Sequence, residues 1–557
     1  MRQEWWKEAV VYQIYPRSFQ DSDGDGVGDL PGIIRRLDYL KWLGVDVLWI
    51  SPVYCSPMAD NGYDISDYYH IDPAFGTDED MDRLIEEAGK RGMKILMDLV
   101  VNHTSDEHAW FQAAIADPDS EYASYYIFKH GVNGNPPDNL RSYFGGPAWE
   151  QAGDTDRYYF HAFGKKQPDL NWENPKLREE IYRMMNYWLD KGVCGFRVDA
   201  IGNIKKNLVL DHYPADGPDG LSYAGTWIQN QPGIETFLTE MKERTLKPHN
   251  SMTVAEVGVP EERLEEFVGK DGFFSMVFDF SYTDIDVPDS AEWFVPTGWT
   301  AREFRDNLFH SQLATQTIGW GAVYLENHDQ PRSVNKYIPE EEIGRYSTTM
   351  LGTLFMMLRG TPFIYQGQEI GMTNIHMDTL DDYDDLATHD QYRRAIESGV
   401  SEEDAWAAIY RRSRDNGRIP MQWDDGCQAG FSQAEKTWLK VNPNYGEINV
   451  KKEQADEKSI LHYYRKLIEM RKKEEYRDVV IFGTFKPYET DAEQVIAYER
   501  IYEEKRLLIL NNFGKQEQEV RLPEGSRGAV LCNYDTPDGG SDGKYRLRPY
   551  ESIILKF

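Results

Sequence analysis

The sequence predicts an α/β protein built on a (β/α)₈ TIM barrel, with a small lobe inserted after the third strand and an antiparallel β-domain at the C-terminal end. Three observations support this fold class. Eight short runs are rich in β-branched residues, most of them follow an amphipathic helical segment, and short alternating strands begin near Asp478. Nearly continuous apolar strands separated by helices indicate a parallel sheet that is covered on both faces. Eight such strands in succession favour a barrel over an open sheet.

Each barrel strand is predicted from one apolar run. We expect strands at 11–19, 45–53, 94–103, 195–202, 252–258, 274–280, 321–329 and 361–369. The segment 104–172 is rich in Tyr, Gly, Asp and Asn and is predicted to form the inserted lobe. The barrel therefore occupies 1–103 and 173–477, with an irregular polar excursion at about 374–450. Residues 478–557 are predicted to form a β-sandwich, with strands in VVIFGTFKPY, QVIAYERIY, RLLILNNF and SIILKF.

The composition restricts the class of partner. The chain has 557 residues, and its 61 Lys and Arg against 94 Asp and Glu give a net charge of −33. Such a charge repels phosphate backbones and anionic membranes, so we expect no nucleic-acid or membrane partner. The N-terminal residues lack the pattern of a signal peptide, and no run of about 18 apolar residues occurs. Cys55, Cys194, Cys427 and Cys532 are far apart, which is typical of reduced, mostly buried thiols. We therefore expect a cytoplasmic protein.

Ionisable residues are concentrated where the predicted strands end. They are Asp98, Asn102 and His103 on the third strand, Arg197 and Asp199 on the fourth, Glu256 on the fifth, and Asn327, His328 and Asp329 on the seventh. In a barrel of this kind the carboxyl ends of the strands form one rim, and the chemistry takes place there. Several carboxyl groups together suit the cleavage of a glycosidic bond, in which one carboxyl group donates a proton and a second attacks or activates water.

Seven motifs carry a resemblance to a known family. They are DNGYDISDY (60–68), DLVVNH (98–103), QPDLN (167–171), GFRVDA (195–200), AEVG (255–258), ENHDQPR (326–332) and SRDNGRIPMQWD (413–424). With these motifs in this order, the chain resembles the α-amylase superfamily, glycoside hydrolase family thirteen. Within that family it is most similar to the oligo-1,6-glucosidase and α-glucosidase group. The resemblance covers essentially the whole chain.

The resemblance implies three catalytic carboxyl groups. Asp199 would be the nucleophile, and Glu256 the general acid and then the base. Asp329 would stabilise the transition state, and Arg197 would keep Asp199 ionised. The implied reaction retains the anomeric configuration, so we expect the carboxyl groups of Asp199 and Glu256 to lie about 5–5.5 Å apart.

The resemblance also implies a closed sugar pocket. His103 and His328 would bind hydroxyl groups of the glucose that is cleaved, and Tyr63 would stack on its face. Asp60 and Arg414 would bracket its non-reducing end, which would make the enzyme exo-acting. A separate pair, Phe163 and Gln167, would contact the pocket or the acceptor sugar. We expect a monomer that acts on small oligosaccharides.

Three positions bear on how closely the chain follows this group. Glu326 and Gln368 differ from the residues usual in close relatives, but neither is implied to be catalytic. Ala200 stands beside the nucleophile, where valine accompanies α-1,6 preference in related enzymes and smaller residues accompany α-1,4 activity. The linkage therefore stays open between α-1,6 and α-1,4.

Other functions on the same scaffold also stay open. The same catalytic set serves transglycosylases, isomerases and trehalose-6-phosphate hydrolase, and Lys165 and Lys166 leave a phosphorylated substrate possible. A non-catalytic relative that partners a membrane transporter is a remote alternative, because the three catalytic carboxyl residues are all present.

An acidic loop near the N-terminus predicts a metal site. In DSDGDGVGD (21–29), oxygen-bearing side chains alternate and glycine stands at the sixth position, as in Ca²⁺ loops. The twelfth position is Gly32 and not Glu, so the loop is not an EF-hand. In the resembling family such a loop binds one structural Ca²⁺, here through Asp21, Asp23, Asp25, Asp29 and the carbonyl group of Val27.

Overall fold

The structure is a computed structural model that describes residues 4–210, 212–217, 219–288, 291–295, 297–526, 528–537 and 543–557. Eight parallel strands form its central sheet. They are β1 Val11–Ile14, β2 Val47–Ile50, β3 Lys94–Val100, β4 Gly195–Asp199, β5 Met252–Ala255, β6 Met276–Val277, β7 Ala322–Val323 and β8 Thr361–Tyr365. The hydrogen-bonded order is β6-β5-β4-β3-β2-β1-β8-β7.

Side chains inside the barrel connect β6 and β7, the two strands that stand at the ends of this hydrogen-bonded order. The ring of Phe278, which follows β6, lies 4.8 Å from that of Tyr324, which follows β7. The same phenyl ring lies 5.1 Å from Phe363 of β8 and 5.8 Å from Trp49 of β2. The interior is therefore a packed aromatic core, and the predicted barrel is confirmed.

The strands are shorter than the sequence predicted, mostly at their carboxyl ends. β1 ends at Ile14 and not at residue 19, because Pro16 begins a 3₁₀ turn, Pro16–Ser18. β7 ends at Val323 and not at residue 329; beyond it, the Asn327 side chain accepts a hydrogen bond from the backbone N–H of Asp329. Glu256 and Asp329 therefore lie on loops just beyond strands. The polar residues that end each apolar run bind side chains instead of continuing the ladder.

The barrel helices have well-formed ends. The first, Leu30–Leu43, begins at Asp29, whose carboxylate accepts from the Gly32 N–H, and ends at Gly44 with φ 102°. The other α-helices are Asp78–Lys90, Ala109–Ala116, Pro175–Lys191, Gly225–Ile228, Ile234–Met241, Lys247–His249, Leu264–Val268, Ala301–Ile318, Ser333–Tyr337, Arg345–Met356, Leu386–Glu397, Glu402–Arg412, Asp415–Arg418, Val450–Ala455, Ile460–Met470 and Arg477–Ile481.

The excursion at about 374–450 is partly helical, so its prediction as irregular was wrong. Leu386–Glu397 and Glu402–Arg412 are packed against each other, and most of their residues are polar. The low content of apolar residues hid the helical period in the sequence. These helices matter for the site, because Asp385 and Arg414 lie at their ends.

The inserted lobe shares its core with a second segment of the chain. Its antiparallel sheet consists of Phe128–His130, Arg157–Phe160 and Trp149–Gln151. The apolar residues behind this sheet pack against Tyr213, Ala224 and Ile228, which follow β4. Ser222–Tyr223 also pairs with Leu140–Arg141. The lobe is therefore held by the loop after the strand that carries Asp199, which the sequence did not indicate.

The C-terminal domain is antiparallel, as predicted. Its larger sheet has the order Thr484–Pro487, Val495–Tyr502, Lys505–Asn512, Ser552–Lys556 and Ala529–Cys532, and a smaller sheet pairs Gln518–Arg521 with Lys544–Leu547. The core between them contains Leu508, Val520 and Tyr545. The predicted strand at VVIFGTFKPY was wrong in its first half, because Arg477–Ile481 is a helix.

The thiols are more exposed than the sequence indicated. Cys55, Cys194 and Cys532 are half-buried, Cys427 is exposed, and all four are unpaired. The prediction of mostly buried thiols was therefore wrong. In the described parts of the chain, the helices are all too short or too polar to cross a bilayer.

Candidate active site

One buried arginine organises the base of the pocket. Arg197 projects from β4 and is 1% exposed. Its Nη1 donates to Asp98 Oδ1 at 2.8 Å and to Asp199 Oδ1 at 2.6 Å, and its Nη2 lies 2.8 Å from Glu256 Oε1. The backbone N–H of Ala200 donates to Glu256 Oε2 at 3.1 Å. The predicted catalytic pair is therefore held on one guanidinium, while its 5–5.5 Å carboxyl spacing stays a prediction.

Burial and charge set the protonation of this group. Burial raises the pKa of Asp98 to about 6, although the contact with Arg197 opposes the shift. Burial also raises the pKa of Asp199 above its usual range, and Arg197 again favours the carboxylate. Glu256 differs in that its side chain is 24% exposed, whereas that of Asp199 is 10% exposed. Both candidates are thus paired with Arg197, and Glu256 is the more exposed of the two.

Asp329 sits in a different electrostatic environment. Its Oδ1 lies 2.9 Å from Arg418 Nη2 and 3.2 Å from Arg414 Nη1, and its Oδ2 lies 3.0 Å from His328 Nε2. Burial acts to raise the pKa of Asp329, but His328 and the two arginines outweigh it and lower the pKa well below its usual range. Asp329 is therefore a fixed negative charge in the pocket. The sequence reasoning missed Arg418, although it stands in the quoted motif at 413–424.

His328 is held as a neutral ring. The Gln13 amide nitrogen lies 2.8 Å from His328 Nδ1, so Nδ1 accepts and the ring proton is on Nε2, toward Asp329. Burial lowers the pKa of His328 to about 3. The ring of Tyr63 stacks on it with centroids 5.3 Å apart, and the Tyr63 hydroxyl group also donates to Asp98 Oδ2 at 3.2 Å. His328 and Tyr63 thus form one wall of the pocket.

A second cluster of charged side chains is centred on Arg414. Arg414 Nη2 lies 3.6 Å from Asp60 Oδ1, and its Nε donates to Asp385 Oδ1 at 2.8 Å. The Gln167 amide donates to Asp60 Oδ2 at 2.9 Å. Asp385, which is fully buried, fixes the guanidinium of Arg414. The sequence reasoning missed Asp385, which lies in the excursion that it took to be irregular.

The inserted lobe supplies the remaining wall. His103 Nε2 lies 3.0 Å from the Tyr63 carbonyl oxygen and 3.1 Å from Gln167 Nε2. The ring of Phe163 lies 5.1 Å from His103 and stacks on Tyr143 at 4.8 Å. Phe163 therefore belongs to an aromatic group at the mouth. The predicted residues of the sugar pocket lie together around the three catalytic candidates.

The positions that depart from relatives are structural. Glu326 is buried, and its Oε1 lies 3.3 Å from Arg332 Nη1. Gln368 Oε1 accepts from the backbone N–H of Tyr365 at 3.1 Å.

Lys166 pairs with Asp106 at 2.9 Å. This ammonium group is therefore already neutralised by an acidic side chain.

The acidic loop brings three of its four predicted carboxyl groups together. Ligand oxygens of Asp21, Asp23 and Asp29 all lie within 4.8 Å of one another. Asp25 is outside this group, and its Oδ1 accepts from the backbone N–H of Val27 at 2.8 Å. Burial acts to raise the pKa of Asp21, but the Ser432 hydroxyl group and the backbone N–H groups that donate to its two oxygens lower it. Carboxylate oxygens in this arrangement suit a hard cation such as Ca²⁺.

These groups have the composition of a site that cleaves glycosidic bonds. A family model for the α-amylase catalytic domain matches residues 13–478, and a model for the C-terminal domain of the α-amylase SusG matches residues 495–554. Because the first match covers most of the chain, the chain belongs to the α-amylase catalytic-domain family.

Three similar proteins show the range of activities close to this chain. It is 45% identical to an oligo-1,6-glucosidase from Halalkalibacterium halodurans, over 100% of this chain and 99% of that protein. The crystal structure of isomaltulose synthase from Klebsiella sp. LX3 is 37% identical over 100% of both chains, with a TM-score of 0.94. The trehalose-6-phosphate hydrolase from Bacillus licheniformis is 39% identical over 99% of both chains, with a TM-score of 0.90.

Proposed function

We propose that this glycoside hydrolase is a retaining, exo-acting α-glucosidase that removes terminal α-1,6- or α-1,4-linked glucose from short oligosaccharides. One observation carries the proposal. Arg197 holds Asp199 and Glu256, and Arg414 reaches both Asp329 and Asp60, so the residues implied at the cleaved bond and at the closed end of the sugar pocket form one group. Such a pocket admits a chain end and not the middle of a polysaccharide.

The first chemical step breaks the glycosidic bond. Asp199 attacks the anomeric carbon while Glu256 gives its proton to the glycosidic oxygen, and the acceptor sugar leaves with that proton. The product is a β-glucosyl ester on Asp199. Arg197 keeps the attacking carboxylate ionised through its hydrogen bond to Oδ1. Asp329, which stays negative, stabilises the positive charge that develops on the sugar ring.

The second step releases glucose with its α-configuration. Glu256, now ionised, takes a proton from water, and the resulting hydroxide attacks the anomeric carbon of the ester. Asp199 leaves as a carboxylate. Two inversions at the same carbon give net retention. The closed end limits release to one glucose unit at each turnover.

The other activities of the scaffold are weaker proposals for this chain. A phosphorylated substrate is disfavoured because the Lys166 ammonium group already pairs with Asp106. Transfer to a second sugar in place of water requires only a different acceptor, and the aromatic group of Phe163 and Tyr143 at the mouth offers a surface for one. The oligo-1,6-glucosidase relative supports hydrolysis as the main reaction.

A time-resolved proton NMR assay tests the proposal. Isomaltose, maltose, sucrose, trehalose and trehalose-6-phosphate are offered separately. We expect α-glucose to appear first from isomaltose or maltose, and the Asp199→Asn variant to be slower by at least about 10³-fold. Cleavage of trehalose-6-phosphate alone, or new disaccharides without free glucose, would contradict the proposed function.

We also propose that the acidic loop binds one structural Ca²⁺. Asp21, Asp23 and Asp29 would hold it, because their oxygens already converge and three like charges at this spacing repel one another. The ion would fix the loop between β1 and the first helix and would take no part in catalysis. Asp25 and the Val27 carbonyl group, which the sequence also indicated, would complete the site only after the loop rearranges.

The working state of the enzyme completes the proposal. We propose that the enzyme is a monomer and that it works in the cytoplasm. The cytoplasm would keep the four unpaired thiols reduced. Light scattering of the purified protein and fractionation of the source cells test these two statements. A stable dimer would contradict the first, and the enzyme in culture medium would contradict the second.

A further inference from the structure

A buried ion pair lies directly behind the pocket, outside the catalytic machinery described so far. Lys206 follows β4 by seven residues, and its side chain is 4% exposed. Its Nζ lies 2.9 Å from Asp169 Oδ2 and donates to Asn102 Oδ1 at 2.7 Å. Asp169 belongs to the inserted lobe and is fully buried. Burial lowers the pKa of Lys206, although the contact with Asp169 opposes the shift.

The ion pair leaves the Asn102 amide only one orientation. Its oxygen must face the Lys206 ammonium group, because an amide nitrogen there would oppose donor to donor. Its nitrogen then donates to Asp169 Oδ2 at 3.1 Å and points at His103 Nδ1, 3.2 Å away. Nδ1 of His103 must therefore accept.

The orientation of Asn102 and the Tyr63 carbonyl oxygen together set the tautomer of His103. With Nδ1 as an acceptor, the ring proton is on Nε2, where it meets the Tyr63 carbonyl oxygen at 3.0 Å. The Gln167 oxygen accepts from the Gly164 N–H, and its amide nitrogen donates to Asp60 Oδ2 and lies 3.1 Å from His103 Nε2. This amide nitrogen opposes a proton on Nε2, but only the Nε2–H tautomer gives the ring proton a carbonyl acceptor, on Tyr63.

We propose that Lys206 and Asp169 are positioning residues that hold His103 as an Nε2–H donor to the substrate, through Asn102. The inference rests on the proposed function only in naming a sugar hydroxyl group as the acceptor. It also assigns a role to the interface between the inserted lobe and the loop after β4. The lobe is also held to the chain just after β3, because the Leu170 N–H donates to the Asn102 carbonyl oxygen at 2.8 Å.

The tautomer can be measured without substrate. In protein with ¹⁵N-labelled histidine, long-range ¹H–¹⁵N spectra distinguish protonated from unprotonated ring nitrogens, and the His103→Gln variant assigns the signal. We expect an unprotonated Nδ1 and a protonated Nε2 in the parent. The paired variant Lys206→Met/Asp169→Asn removes both charges and should show a mixture of tautomers. The opposite tautomer in the parent, or an unchanged spectrum in the paired variant, would overturn the inference.

Kinetics test whether the tautomer matters for turnover. We expect the paired variant to lower kcat/KM by on the order of 10-fold, because a donor to the substrate is lost. In a His103→Gln background the same pair of changes should have little further effect, since both act through one group. Additive losses would indicate a merely structural role and overturn the inference. Lys205→Met is the matched control, because Lys205 pairs with Glu173 on the outside.

The two proposals can fail separately. If the parent has the expected tautomer but releases no glucose from any α-glucoside, the proposed function fails and the positioning inference stands. If glucose is released but the His103 spectrum contradicts the assignment, only the positioning inference fails.

Discussion

Arg414 Nη2 lies 3.6 Å from Asp60 Oδ1, and in the proposed function this contact closes the pocket at the end away from the scissile bond. The two residues are more than 350 positions apart in the chain. They meet because Asp60 follows β2 and Arg414 follows the helix Glu402–Arg412. In the proposed function both side chains bind hydroxyl groups of the terminal glucose.

The first prediction concerns this closed end. Asp60→Asn removes the charge and keeps the size, and we expect kcat/KM on a nitrophenyl α-glucoside to fall by about 10- to 100-fold. The loss follows from hydrogen bonds between a charged acceptor and sugar hydroxyl groups. Asp384→Asn is the control, because Asp384 binds the neighbouring Asn61 at 2.9 Å. Equal losses in the two variants would show a general effect on the loop.

The second prediction concerns the charge of Asp329. Arg418 Nη2 lies 2.9 Å from Asp329 Oδ1 and helps to lower its pKa. In Arg418→Lys we expect this pKa to rise toward its usual value, and ¹³C NMR of the Asp329 carboxyl carbon, assigned with the Asp329→Asn variant, measures the shift. Arg411→Met is the control, because Arg411 binds the Trp293 carbonyl oxygen instead. An unchanged Asp329 pKa in Arg418→Lys would exclude Arg418 as a determinant of that pKa.

The third prediction concerns stability and His328. Its pKa is about 3 in the folded protein and about 6.5 in the unfolded chain, so only the unfolded chain takes up this proton between those values. The native state therefore loses stability as pH falls from about 6.5 toward 3, by up to about 1.4 kcal/mol per pH unit. We expect urea unfolding of His328→Gln to show a shallower loss from pH 6.5 to 4.5 than the parent. Parallel curves would contradict this role of His328.

The fourth prediction concerns the acidic loop. We expect excess chelator to lower the melting temperature of the parent, because the loss of the ion leaves three carboxylates in mutual repulsion. Asp23→Asn should lower the melting temperature and remove the response to chelator. Asp25→Asn should keep most of that response, because Asp25 lies outside the cluster. If Asp25→Asn instead removes the response to chelator, the full sequence-predicted set binds the ion. No response to chelator in the parent would exclude the site.

The barrel and the catalytic residues could be predicted because they depend on local signals. A strand such as β4 is apolar up to the point where Arg197 and Asp199 begin the site, and its position after a helix fixes its direction. The exact ends of strands could not be predicted, since side chains such as Asn327 compete for the backbone only in the folded loops.

The missed residues act through distant partners. Arg418 and Asp385 are important because of contacts with Asp329 and Arg414, which no short-range pattern reveals. Lys206 contacts Asp169 across the interface between the inserted lobe and the barrel. A buried lysine and a solvated one look the same in a sequence.

The last prediction concerns Ala200, which links the nucleophile to the acid. Its backbone has φ 42° and ψ 32°, in the left-handed region, and its N–H donates to Glu256 Oε2 at 3.1 Å. Ala200 already carries the cost of a Cβ in this region, and a β-branched residue is tolerated there still less, so Ala200→Val should lower the free energy of unfolding. The added methyl groups should also narrow the space beside the cleaved bond.

We therefore expect Ala200→Val to lower the rate on maltose more than the rate on isomaltose. The measurement is the ratio of kcat/KM for the two disaccharides, with the melting temperature recorded alongside. Ala200→Ser separates the two effects, because it adds a polar atom without β-branching and should leave most of the stability intact. If both variants keep the parent ratio, Ala200 does not select the linkage, and the preference must come from the acceptor side near Phe163.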